Sequence, residues 1–309
     1  MAFCGAGSYT APVSDGQRVC FFGAPVMGSW KVRAQQVATA RPAWRATGDL
    51  EPGDVLAHDV FVAVKRPYRT RLRLLAAMGR TTVYDVVDCW AQPDDGLRHP
   101  DLPSIRRYFE RHFAGLAVDG VIFPNRAMCE DLGDLVPNPT WIPHHYWPGM
   151  APIEVRERVT VVGYEGAASY LGPWRREVER ACRRLGLRFV VNPPSLRDVD
   201  IGFAVRGGVH ASLMAQRYKS NVKLANFYGA GIPCLVGADE VSYRETDNGE
   251  VRFFAKPHEL VERLDELRSY ETRLRIHRSF LAVRGEYSLA AIADRYEAYL
   301  RQLAARRAA

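Results

Sequence analysis

The densest run of chemically useful side chains lies between Arg206 and Gly237. Arg217, Lys219 and Lys223 follow one another closely, with Ser220 and Asn221 between the two lysines. The apolar spacing from Ser220 to Tyr228 is helical, Ser220 is a residue type that caps helices, and Gly229 or Gly231 closes the run. A helix N-terminus carries unpaired N–H groups and about half a positive charge, so cations gathered there suit a phosphate. Arg206, followed by Gly207 and Gly208, adds a guanidinium fit for bidentate contact, beside glycines that let backbone come close. The same residues also describe a solvated basic helix start ahead of a tight Gly-Pro turn.

Other groups are more isolated. Asp85 and Asp88, in the run YDVVDCW, stand three apart and point to opposite faces of a strand. Asp88, at the strand's end, is the candidate general base; a cap in the following loop is the competing role. His58 and Asp59 fall mid-strand, where His58 reads as a buried, satisfied histidine. His144 and His145 lack a cysteine or carboxylate at ligand spacing, so no metal is expected. The six cysteines, Cys4 and Cys89 among them, form no CxxC pair and read as reduced thiols of a cytoplasmic protein. The turn from Gly23 to Gly28 is not GxGxxG, so it gives dinucleotide binding no support; it suits approach of a donor or acceptor phosphate to the first helix.

These residues must be held by a scaffold, and its pattern is legible. Short β-branched runs alternate with longer amphipathic ones, the signature of βαβ units and parallel sheets. Strands are predicted over 18–23, 54–64, 81–87 and 118–123, with helices over 30–40, 68–78, 104–116 and 126–132. The stretch 136–149, with Pro137, Pro139, Pro143 and Pro148, reads as an irregular crossing between domains. A second alternation follows: strands at 158–162, 188–191, 199–204 and 234–237, helices at 174–185, 220–228, 257–267 and from Leu289 to the end. The expected division is 1–147 and 148–309, with ligands at the carboxyl ends of two sheets facing across a cleft.

KSNVKLANFYGAGIPCLVG resembles the donor-site motif in the C-terminal domain of GT-B glycosyltransferases, in a divergent form of families 4 and 1. VIFPNRAMCEDL is similar to the last strand and helix of that superfamily's N-terminal domain, TWIPHHYWPG to its interdomain linker, and VTVVGYEG to the first strand and glycine turn of its C-terminal domain. The loop Glu245-Thr-Asp-Asn-Gly249 resembles its acidic loop. The resemblance implies an α/β protein of two Rossmann-like domains, with the last helix packing back on the first domain. It implies transfer of a sugar from a nucleotide-diphosphate sugar, without metal or other cofactor. On that basis Arg206, Arg217, Lys219, Ser220, Asn221 and Lys223 would hold the diphosphate, Asn226 and Glu245 would touch ribose or sugar, and Gly23 and Gly28 would form the loop of the N-terminal domain. Two departures stand out. Tyr218 and Asn226 occupy the places of a Glu-x7-Glu pair, and Tyr164-Glu165-Gly166 stands where the family carries Arg and Lys.

Composition agrees with a folded α/β chain: 309 residues, 47% hydrophobic, 25% charged, with no apolar run near the roughly 20 residues needed to span a bilayer. The N-terminus lacks the basic and apolar regions of a secretory signal. A net charge of +7 favours anionic ligands without choosing among them. The acceptor stays open between polysaccharide, lipid-linked, nucleic-acid and small-molecule classes. Tyr68 to Leu75 interleaves arginines with leucines, as a peripheral membrane helix or a core-packed helix with a basic outer face would. The competing function is a non-catalytic GT-B-like binding protein for nucleotide or anionic polymer; an epimerase of the same two-domain fold would need acids on both sides of the sugar.

Overall fold

The computed structural model describes residues 16–26, 28–88 and 98–308. The N-terminal ten residues, Cys4 and Cys89 lie outside them. The first half builds β1 (Val19–Phe22), β2 (Trp44–Thr47), β3 (Val60–Val64), β4 (Thr81–Asp85), β5 (Gly120–Phe123) and β6 (Pro139–Trp141). They form one parallel sheet in the order β2-β1-β3-β4-β5-β6. Its helices are α1 (Gly28–Trp30, continued as a π-helix over Lys31–Gln36), α2 (Pro52–Ala57), α3 (Arg69–Ala77), α4 (Leu102–Phe113) and α5 (Arg126–Leu132). The central strands read as unbroken apolar runs because helices cover both faces.

The second half builds β7 (Val161–Tyr164), β8 (Arg188–Val191), β9 (Ile201–Ala204), β10 (Cys234–Gly237) and β11 (Arg252–Phe254), parallel, in the order β11-β10-β9-β7-β8. Around them lie α6 (Trp174–Arg184), α7 (Leu213–Tyr218), α8 (Val222–Ala230), α9 (Val241–Glu245), α10 (Pro257–Glu266) and α11 (Tyr270–Val283). The long α12 (Leu289–Ala308) crosses back to the first sheet, where Tyr296, Leu300 and Leu303 join the core around Val19, Phe21 and Val62. Gly120 permits that crossing: any Cβ there would collide with the Tyr299 hydroxyl.

Three expectations need correction. Asp54 does not begin a strand; it lies in α2, whose N-terminus is fixed by a reciprocal cap between Glu51 and Asp54, and the strand starts at Val60. The proline-rich crossing is not wholly irregular, since Pro139–Trp141 pairs with β5 as an edge strand, where the missing N–H can face outward. Strands β2 and β11 and helices α7, α9 and α11 lie where the sequence pattern predicts no element.

Each sheet has one place where strand order reverses: between β1 and β3 in the first, between β7 and β9 in the second. Loops leaving adjacent strands in opposite directions open a crevice there. In the first sheet the carboxyl ends bring Gly23 and Lys65 to that point. In the second they bring Tyr164, Glu165 and Gly166 opposite Arg206.

Candidate functional site

The second crevice is completed by the start of α8. Asn221, not Ser220, holds the cap position, and its side chain does not cap the helix, so the first N–H groups have no side-chain partner among the described residues. Ser220 is buried beside it. The Asn221 Oδ1 instead accepts from the His144 amide at 2.9 Å, while its Nδ2 is buried without a partner.

Lys223, one turn into α8, runs back to the end of β7. Its Nζ donates to the Tyr164 hydroxyl at 3.1 Å and lies 4.4 Å from the centre of that ring. A Cβ at Gly166 would come within 3.4 Å of Lys223 Cε and 3.5 Å of Nζ, and Gly166 has φ +129°. Those are ordinary contact distances, so the backbone shape of the turn, rather than room for the ammonium, is what calls for glycine at 166. Burial, followed by the nearby Arg206 charge, pulls the Lys223 pKa down to about 7, against the opposing pull of Glu240 and Glu165. Arg206 is itself buried and ion-paired with Glu240; burial disfavours its charge, but Glu240 with Tyr243 and Tyr164 outweighs that and keeps it charged.

Next to Lys223, Asn226 bridges two segments. Its Oδ1 accepts from the Trp147 amide at 3.0 Å and its Nδ2 donates to Glu165 Oε2 at 3.2 Å. Burial raises the Glu165 pKa, with Asn226 and Lys223 working against the rise. Both side chains line a groove of about 370 Å³, whose other walls include Trp147, Pro193, Pro194 and Leu196.

Other expected site residues face the first domain instead. Asp88 is clasped by Lys65 Nζ at 2.7 Å and by Lys219 Nζ at 3.0 Å. Burial alone would raise its pKa, but Lys219 and then Lys65 bring it down to about 2, which leaves little basicity for removing a proton. Arg217 does not join the phosphate cluster, because Asp131 of α5 holds its guanidinium, with one contact at 2.9 Å, and also accepts from the Tyr218 hydroxyl at 2.8 Å. Asn125 donates to the Arg217 and Lys219 carbonyls at 2.9 and 3.1 Å. Glu245 is not aimed at a ribose site: it accepts from the Arg126 and Ala127 amides at 2.9 and 2.7 Å and so caps α5 across the domain boundary. Gly23 serves packing, since a Cβ would meet the Trp30 ring and the Val64 carbonyl at 3.0 Å, whereas Gly28 opens α1 with free space around it.

The structure thus gathers Arg206, Lys219, Ser220, Asn221, Lys223 and Asn226 along one side of the cleft, and removes Arg217 and Glu245 to the interface. Sequence reasoning missed Lys65, Tyr164, Glu165 and Glu240 as participants. Glu165 carried a signal, as the acid in the glycine turn after the first strand of the second domain. His144 and His145 are buried and held neutral, burial first and Arg33 second pushing both pKa values down. Among the described residues, no group of three histidine, cysteine or acidic side chains could hold a metal ion.

No family model and no curated protein sequence matches this chain. Solved structures do. Anabaena HepE in complex with UDP-glucose superposes with a TM-score of 0.60 at 12% identity, over 93% of this chain and 99% of that one. An Escherichia coli trehalose-6-phosphate structure bound with UDP-2-fluoro glucose gives 0.58 at 9% identity, over 93% and 99%. TarM gives 0.53 at 11% identity, over 78% of this chain and 54% of that one. The likeness spans both sheets of the chain, whose fold is GT-B: two Rossmann-like α/β halves on either side of a cleft.

Proposed function

We propose that the protein is a glycosyltransferase that takes its sugar from a nucleotide-diphosphate sugar held by the second domain. The observation that carries this reading is Lys223: a buried ammonium that, among the described residues, has no carboxylate in direct contact, between the glycine turn of β7 and the start of α8. A desolvated cation beside free backbone N–H groups suits a dianionic group. HepE and the trehalose-phosphate protein, with the same fold, are seen with UDP-sugars, which makes UDP the first nucleotide to try.

In this reading the nucleoside occupies the groove beside Trp147, Pro193 and Leu196, with Glu165 and Asn226 presenting an acceptor and a polar amide to the ribose hydroxyls. The diphosphate lies over the start of α8. As the acceptor oxygen bonds to the anomeric carbon and the bond to the diphosphate breaks, negative charge grows on the leaving phosphate, whose oxygen takes up the acceptor's proton. Lys223 and the α8 amides stabilise that charge, and Lys219 joins them once phosphate displaces Asp88. The second domain thereby supplies from a helix the cation that the resemblance places after its first strand.

Calorimetry with UDP, GDP, ADP and dTDP, followed by an assay for sugar released from UDP-glucose, tests the proposal. One nucleotide diphosphate should bind with a clear preference, and the matching nucleotide sugar should be slowly hydrolysed. The absence of carboxylates at 218 and 226 favours the alternative, a non-catalytic binding protein of the same fold. Binding of polyanions without preference for any nucleotide would select it.

A further inference from the structure

Trp147 stands apart from the other described tryptophans. Trp30 and Trp44 are buried and Trp141 and Trp174 half-buried, whereas Trp147 is 43% exposed. An indole left this open forgoes the apolar burial that usually takes it inside. Its backbone is nevertheless fixed on both sides. The amide donates to Asn226 Oδ1 at 3.0 Å, and the carbonyl accepts from the Met150 amide at 3.1 Å. A firmly held segment thus presents the ring at the wall of the nucleoside groove.

The first domain reaches that ring. Lys31 Nζ lies 4.5 Å from its centre, and among the described residues this ammonium pairs with no carboxylate. Lys31 opens the π-helix, which also grips the crossing just ahead of Trp147. Arg33 donates to the Ile142 and Pro143 carbonyls, both at 3.0 Å, and Gln36 Oε1 lies 2.9 Å from His145 Nε2. A cation over one face of an indole steadies the ring and leaves the other face for a flat partner. Asn226, which holds the Trp147 amide, also bonds Glu165, so the ring stands beside the two residues assigned to the ribose. Pro193, Pro194 and Leu196 give the same groove apolar surface.

Resting on the nucleotide-sugar reading, we infer that Trp147 is the platform on which the nucleotide's base stacks, and that Lys31 is a positioning residue that holds the ring from the first domain. Every base has a π-face, so the platform adds affinity without choosing among bases. A ring ordered in advance loses less freedom on binding. Contact from the first domain therefore strengthens a nucleotide held by the second, and by linkage the bound nucleotide tightens that contact.

The test is calorimetry with UDP, GDP, ADP and dTDP, and with pyrophosphate, which offers the phosphates without a base. The preferred nucleotide should bind about tenfold or more weakly to Trp147→Leu and within about threefold of wild type to Trp147→Phe, which keeps a ring. Pyrophosphate affinity should stay within about twofold in both. Lys31→Met should weaken the nucleotide about threefold, leave pyrophosphate alone, and add nothing in the Trp147→Leu background. Equal nucleotide affinity in wild type and Trp147→Leu overturns the inference and leaves the glycosyltransferase reading standing. An equal loss of pyrophosphate in Trp147→Leu does the same, because the ring would then be structural. A Lys31→Met loss of one size in both backgrounds would put the ammonium on the phosphates and overturns its positioning role. Failure of all four nucleotides to bind wild type overturns both readings.

Discussion

Lys219 of the second domain and Asp88 of the first meet across the cleft, Nζ to Oδ2 at 3.0 Å, while Lys65 takes the other carboxylate oxygen at 2.7 Å. One carboxylate thus holds two cations, one from each domain, at the place where an incoming diphosphate would compete for Lys219. The contact is at once a fastening of the domains and a block on the site.

Asp88→Asn should separate these roles. With the charge gone Lys219 is free, so nucleotide-diphosphate affinity should rise several-fold by calorimetry, while the fold loses about 2 kcal/mol by chemical denaturation. Because the folded pKa lies near 2, below the unfolded value, the wild-type contribution is full above about pH 4 and fades as pH falls through 2. A roughly hundredfold fall in turnover with unchanged binding would instead identify Asp88 as the general base.

Lys223 predicts two pH trends of opposite sign. Its folded pKa near 7 is below that of an unfolded lysine, so the free protein should gain stability as pH rises from about 7 towards 10. A bound diphosphate favours the charged form, so binding should take up a proton and affinity should fall with pH over the same window. Calorimetry in buffers of different ionisation enthalpy reads the uptake directly. Lys223→Met should abolish it and weaken binding about tenfold or more; unchanged uptake in that variant would assign the proton to another group.

The sheets were legible because parallel strands buried on both faces leave apolar runs such as Val60–Val64 and Cys234–Gly237. Strand β2 was hidden because Trp44-Arg-Ala-Thr sits at a sheet edge, half exposed, with no such run. The cluster of cations was visible by spacing, but its pairing was not. Arg217 and Lys219 are two residues apart, yet their acids lie 86 and 131 positions away, on different elements of the other domain. Period and spacing carry local geometry; they do not say which acid folding will bring to a given arginine. Glu245 shows the same limit, since its acidic loop resembles a ligand loop and its carboxylate is spent on two amides of α5.

Glu165 and Asn226 predict selectivity for ribose. If their 3.2 Å pair receives the sugar hydroxyls, wild type should bind UDP about tenfold more tightly than 2′-deoxy-UDP, one charged hydrogen bond being worth about 1.5–3 kcal/mol. Glu165→Gln should bind the two alike while keeping its melting temperature. Retained discrimination in that variant would place the ribose elsewhere in the groove.

Glu245→Ala tests whether that residue works for the ligand or for the domain boundary. Its carboxylate supplies the partner for the first two amides of α5, and α5 also holds Arg217 through Asp131. Removing it leaves those amides unpaired at a helix start, a loss of about 1 kcal/mol on the scale of other N-caps. The contact ties the second domain to α5, so small-angle scattering of the free variant should show a larger radius than wild type, and bound nucleotide should leave that difference in place. Nucleotide affinity itself should stay within about twofold, because Lys223, Asn226 and the α8 amides are untouched. A tenfold loss of UDP binding at unchanged radius would return Glu245 to the sugar or ribose, where the resemblance first placed it.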